Sequence, residues 1–209
     1  GVNYAAAGRL AEGLPLVEEA YREGKQYPEL GFIRPQVIPL WCAAADPRKP
    51  EDVKKVAALA REVIGDARAE MAPRSPELAG MLASCGLGLL TVEIWDEAEA
   101  LIRESLAIRE KVQPDLWTTF NAQSMLGGAL LGQKKFAEAE PLLLAGYRGM
   151  KGREATIEPS GRGWMTQAIE RLVKLYDSKI DAIEAAAWRA KLDAARAAES
   201  RPSTRESKR

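Results

Sequence analysis

Histidine is absent from all 209 residues, and cysteine occurs twice, at Cys42 and Cys85. Without histidine there is no Ser-His or Cys-His catalytic pair and no zinc site that needs an imidazole, and two thiolates cannot close an all-cysteine zinc site. Aromatic residues are sparse, at 6% of the chain. The longest apolar run is far short of the roughly 20 residues that span a bilayer. The first residues show no charged-then-apolar leader pattern. Thirty basic residues balance thirty acidic ones. That balance argues against the concentrated basic face that nucleic acid requires, and neither a membrane nor a nucleic-acid partner is expected. Two unpaired thiols fit a reducing, cytoplasmic compartment, with both side chains buried as small apolar groups rather than bridged.

What the chain does contain is self-similarity. Phe136-Ala-Glu-Ala-Glu-Pro-Leu-Leu-Leu-Ala-Gly-Tyr147 echoes Leu10-Ala-Glu-Gly-Leu-Pro-Leu-Val-Glu-Glu-Ala-Tyr21, with identity at five of twelve positions and an offset of 126 residues, three steps of 42. A looser echo relates Val53–Glu62 to Trp95–Glu104 at an offset of 42. A fixed period of this size marks stacked units, each needing a neighbour to cover its apolar face.

Within the units the apolar spacing is helical. Leu10, Leu14, Val17 and Tyr21 follow i, i+4, i+7, i+11. Helices are expected over Leu10–Glu23, Phe32–Ala45, Glu51–Met71, Glu77–Ile94, Trp95–Val112, Trp117–Leu131, Phe136–Met150, Met165–Tyr176 and Ala182–Ala198. Pro15 is expected near a first turn, Pro39 is expected to break or bend its helix, and Ser75 is a candidate N-cap. Gly86 and Gly88 recur 41 residues later in the run Gly127-Gly128-Ala129. Such small residues admit a close neighbouring helix. Gly1–Ala7 has the character of final helical turns, so the chain is expected to be cut from a longer polypeptide. The polar stretch 199–209 has no apolar period and is expected to be a disordered tail.

Three elements, Gly127…Phe136-x-x-Ala139, Gly86…Trp95-x-x-Ala98 and Leu10-x-x-Gly13, resemble the tetratricopeptide repeat. The period of 41–42 exceeds the usual length of about 34 residues and is similar to the longer-helix variety of kinesin light chains. Arg103-Glu-Ser-Leu-Ala-Ile-Arg-Glu-Lys111 resembles the second helix of that variety. A narrower resemblance, carried by Thr118–Phe136, Glu170–Tyr176 and Ala186–Arg189, is to the C-terminal repeats of planctomycete-type serine/threonine protein kinases.

The resemblance implies an all-α, right-handed superhelical solenoid of antiparallel helix pairs. It would form one repeat domain over 1–198, with a truncated first unit at 1–27 and further units at 28–74, 75–115, 116–157 and 158–198. The implied function is non-catalytic: capture of a peptide or a partner's helix on the concave surface, with no cofactor and no metal. On that surface the resemblance and the repeat register place Trp41, Asn121, Ser124, Gln167, Glu170 and Lys174. Trp95 and Trp188 are expected in the core. The alternatives are a recruiting tail of a kinase whose catalytic domain lies upstream, and self-association through the solenoid ends. No His-Arg-Asp or Asp-Phe-Gly kinase motif occurs in the chain itself.

Overall fold

The periodic apolar residues form helices throughout the parts of the chain that the computed structural model describes, namely 10–24, 34–158, 161 and 163–199. The helices are α1 (Leu10–Gly24), α2 (Arg34–Ala44), α3 (Pro50–Glu70), α4 (Pro76–Thr91), α5 (Trp95–Val112), α6 (Trp117–Gly132), α7 (Phe136–Lys151), α8 (Gly163–Ser178) and α9 (Ala182–Glu199), with a short 3-10 turn at Glu154–Thr156. No strand occurs among the described residues. The segments expected at Gly1–Ala7, Phe32 and Ile33, and the tail from Ser200, lie outside the described residues.

The chain divides into two compact units, Gly1–Gln113 and Pro114–Arg209, close to the expected repeat boundary at 115/116. In the first unit α4 and α5 form a hairpin, and α4 also packs on both α2 and α3, while α1 packs on α2. In the second unit α6 and α7 form one hairpin and α8 and α9 another, with α8 against both α6 and α7. The first helices α4 and α8 are therefore each covered by their own partner and by the preceding pair. This is the stacking that a repeat needs to bury its apolar face.

Equivalent residues make equivalent contacts. A Cβ on Gly86 would lie 2.5 Å from Ile102 Cγ1 and 3.5 Å from the Ala98 carbonyl. One on Gly127 would lie 2.7 Å from Leu143 Cγ and 3.1 Å from the Ala139 carbonyl. Both glycines lie where the second helix of the pair crosses the first, and both hairpins use the same crossing.

The turn between paired helices is also shared. Glu93, Lys134 and Ile180 have φ of 62°, 63° and 57°. The following amides, of Ile94, Lys135 and Asp181, donate to the carbonyls of Leu89, Leu130 and Tyr176 at 3.0, 2.9 and 3.0 Å. That pairing is the Schellman termination of a helix. It stops α4 at Thr91, earlier than the apolar pattern through Ile94 suggests. Ser75 caps α4 as expected, its Oγ accepting from the Leu78 amide at 3.1 Å.

Three helices carry an internal proline. Pro15, Pro39 and Pro141 each lie inside a helix, and all three are exposed. A helical proline leaves the carbonyl four residues back without its amide donor; water can serve that carbonyl when the ring sits on the solvent side. Pro39 therefore does not end α2. At the other end, α9 runs through Glu199, one residue beyond the expected limit of order.

Candidate functional site

The expected surface positions of the second unit fall on the first helices of its pairs, α6 and α8. Along α6, Asn121, Ser124 and Gly128 follow i, i+3, i+7; along α8, Gln167, Arg171 and Lys174 follow i, i+4, i+7. Each triplet holds one helical face. α6 has no ionisable residue from Trp117 to Gly132, so the charge on this surface comes from α8.

Arg171 joins the two helices. A Cβ on Gly128 would lie 3.0 Å from its Cδ and 3.1 Å from its Nε, so the side chain lies directly across that glycine. From there Nη1 donates to Ser124 Oγ at 3.2 Å and Nη2 donates to Gln167 Oε1 at 3.3 Å. Burial pushes the guanidinium down to about 10, with the neighbouring Glu170 acting in the opposite sense. It is cationic at neutral pH. A guanidinium has five N–H donors, and the two long bonds to neutral oxygens use only part of that capacity.

Ser124 is fully buried and reaches this surface only through the arginine it holds. Asn121 is 8% exposed, and its Oδ1 is buried without a hydrogen-bond partner among the described residues. An unpartnered buried amide oxygen carries a desolvation cost of about 1–3 kcal/mol. Gln167 is half-buried and Lys174 exposed.

Glu170 is turned the other way, accepting from Arg196 Nη2 of α9 at 2.8 Å. The inward position is Arg171, one residue on, which sequence reasoning passed over. One residue turns a helix by about 100°, enough to move a side chain from this surface to the α9 side. Trp41, in the first unit, is 7% exposed and lies beneath Lys55, whose Nζ is 3.9 Å from the ring centre. Its ring is packed rather than open. Trp188 is buried and meets Tyr147 edge-on at 4.9 Å, whereas Trp95, Trp117 and Trp164 are half-buried.

Other chemistry is muted among the described residues. Burial pushes the Cys42 thiol up to about 11 and the Cys85 thiol up to about 12, so both stay protonated at neutral pH and are poor nucleophiles. No cluster of three metal-ligating side chains is found among the described residues, and no helix there is long and apolar enough to cross a membrane. Two surface depressions lie away from the α6–α8 face, one lined by Arg68, Arg74 and Lys111, the other by Ile157, Met165 and Ala198. Repeat proteins bind along open faces that enclose little volume, so the polar groups, not the depressions, mark the candidate site.

No family model matches the chain, and no curated protein matches it in sequence. Solved structures do match in fold. A single-substitution form of the nearly identical TPR-like repeats of a Podosopora anserina protein, described as a kinesin light chain, superposes with a TM-score of 0.67 at 16% identity, over 96% of this chain and 92% of that one. A second structure of those repeats gives 0.63 at 16% identity, over 96% and 93%. BtubC (BKLC) from P. vanneervenii gives 0.51 at 17% identity, over 97% and 96%. At these identities the likeness carries the fold: all-α, of tetratricopeptide-like antiparallel helix pairs.

Proposed function

We propose that this chain is a protein-interaction module that holds an extended peptide or a partner's helix against the faces of α6 and α8. One observation carries the reading. Asn121 keeps a buried amide oxygen without a partner among the described residues, one turn before the Ser124 that accepts from Arg171, and the half-buried Gln167 and exposed Lys174 of α8 stand across from that face. Polar groups left short of partners at a surface are the ones a ligand's backbone can complete. The tetratricopeptide-like fold supports the same reading, since stacked helix pairs offer extended binding faces. Resemblance of Thr118–Phe136 and Glu170–Tyr176 to the repeat tails of bacterial kinases favours a recruiting role within a larger cytoplasmic signalling polypeptide.

The test is binding of a randomised peptide array to the intact chain and to a variant carrying Asn121→Ala with Gln167→Ala. The variant should lose about tenfold or more in affinity, the order expected for two hydrogen bonds near a charge, while its melting temperature stays close to that of the parent. Equal binding by the two proteins would remove both residues from the account. Self-association through exposed helix faces is the rival reading; a mass that falls on dilution in sedimentation would favour it.

A further inference from the structure

Two ion pairs stitch α3 to α5: Arg61 with Glu97 and Arg68 with Glu104. The rungs are seven residues apart on both helices, close to two turns, so they stand on matching faces. Seven residues further along α5 the chain places Lys111 in place of another acid. On the other side α3 has ended at Glu70, and the turn after it brings in Arg74. Both cations line one depression of about 420 Å³, with Pro73, Leu78, Ala107 and Ile108. The next rung is therefore cation with cation. Glu104 also lines the depression but is spent on Arg68. Among the described residues no carboxylate comes within ion-pair distance of Arg74 or Lys111.

Arg74 is held there against its backbone preference. The Ser75 amide donates to the Ala72 carbonyl at 3.1 Å, closing a turn with Pro73 and Arg74 at its centre. Arg74 has φ of 65°. Proline followed by a left-handed residue is the type II arrangement, whose third position ordinarily holds glycine or asparagine. Unlike Glu93, Lys134 and Ile180, Arg74 terminates no helix. Backbone outliers of this kind cluster at binding and active sites. Between the cations the wall is apolar: Leu78 and Ile108 are buried, and Pro73 and Ala107 are exposed.

We infer that this depression is a second binding site, for a small anionic amphiphile. Its oxyanion head would complete the rung between Arg74 and Lys111, and its short alkyl chain would cover Pro73, Leu78, Ala107 and Ile108. A cavity of this volume is of the size that takes small molecules. A guanidinium holds a carboxylate or phosphate head through paired N–H donors, while lysine adds a point charge. The site lies wholly in the first unit and shares no residue with the α6–α8 face, so it stands whether or not that face binds peptide.

Isothermal titration of the 209-residue chain with octanoate, octanol and acetate tests head and tail separately. Octanoate should bind about fivefold or more tighter than octanol, and about tenfold or more tighter than acetate. Arg74→Gly should abolish the preference over octanol while keeping or raising the urea midpoint, because glycine relaxes the turn. Lys111→Gln should reduce the preference. Lys54→Gln, which removes an exposed cation near the start of α3, should leave it unchanged. Octyl phosphate that binds tighter than octanoate, and loses that affinity in Arg74→Gly, would assign the same site to a phosphate head.

Equal binding of octanoate and octanol would leave the two cations without a role, and equal binding of octanoate and acetate would leave the apolar wall without one. Either result overturns the inference. A preference lowered as much by Lys54→Gln as by Arg74→Gly would do so too, because the attraction would then be general. If octanoate does not bind, the small-molecule site is overturned; an acidic dodecapeptide that then binds and loses affinity in Arg74→Gly would hand the depression to a segment of a partner protein.

Discussion

Ile180 is the clearest place where a single side chain works against its backbone. It is β-branched, has φ of 57°, and is 91% exposed, so no packing compensates for its left-handed conformation. That conformation costs an L-residue about 1–2 kcal/mol, and glycine avoids the clash. Ile180→Gly is expected to raise unfolding stability by about 1 kcal/mol, measured by urea denaturation; a loss would mean the isoleucine has a contact in solution. Glu140 is tuned in the opposite sense. The hydrogen bond from Lys179 holds its carboxyl below the ordinary 4.5, and Tyr176 adds a bond at 2.9 Å. A carboxyl with a depressed folded value contributes stability that is fully present above its unfolded value and is lost as pH falls through the folded one. Glu140→Gln should therefore be less stable than the parent at neutral pH, with the gap closing as pH falls below about 4.5. A gap that stays constant through acid titration would show that Lys179 does not favour the ionised form.

At the scale of helices, α6 and α7 of the second unit approach backbone to backbone at Gly146. A Cβ on Gly146 would lie 2.6 Å from the Ser124 amide and 2.7 Å from the Phe120 carbonyl, both backbone atoms. Side chains can step aside, but two helix backbones can separate only by unpacking the hairpin. Gly146→Ala should destabilise by about 1–3 kcal/mol despite alanine's better helix propensity, read from the denaturation midpoint. An unchanged midpoint would show that the helices can part without loss. The same kind of contact explains what was legible in the sequence. Gly86 and Gly127, 41 residues apart, meet Ile102 and Leu143, also 41 apart, so period and packing are one fact. The candidate site was less legible even in the right register. The left-handed turn residues run from Glu93 to Lys134 in 41 residues and from Lys134 to Ile180 in 46. A 46-residue offset carries Asn121 to Gln167 and Gly128 to Lys174, and Ser124 to Glu170, whereas the hydrogen bond from α8 to Ser124 comes from Arg171. Between Gln167 and Lys174 either the i+3 or the i+4 residue can share their face, and periodicity alone does not choose the cation over the acid. Whether Pro39 would end its helix was hidden in a related way. Pro39 breaks a helix only where the freed carbonyl cannot reach water, and its exposure was not visible in the sequence.

For the whole chain, the division at Gln113/Pro114 sets how folding and binding can be separated. The second unit has its own core, with Met125, Leu130, Leu143, Met150, Leu172 and Leu175 all no more than 2% exposed. It is also closed at its C-terminal end by Trp188 against Tyr147, and Arg196 against Glu170. The proposed peptide face on α6 and α8 belongs to it entirely. Repeat arrays gain stability from intrinsic unit terms and nearest-neighbour interfaces, so a unit with a complete core can fold when detached. A fragment starting at Pro114 is expected to show helical circular dichroism and a single sigmoidal urea transition. A broad, non-cooperative transition would mean that the first unit supplies packing the second cannot do without. Cooperative folding, by contrast, predicts that the fragment keeps the full chain's binding to the randomised peptide array, since α6 and α8 both belong to it. A fragment that folds but loses that binding would place part of the peptide face in residues before Pro114.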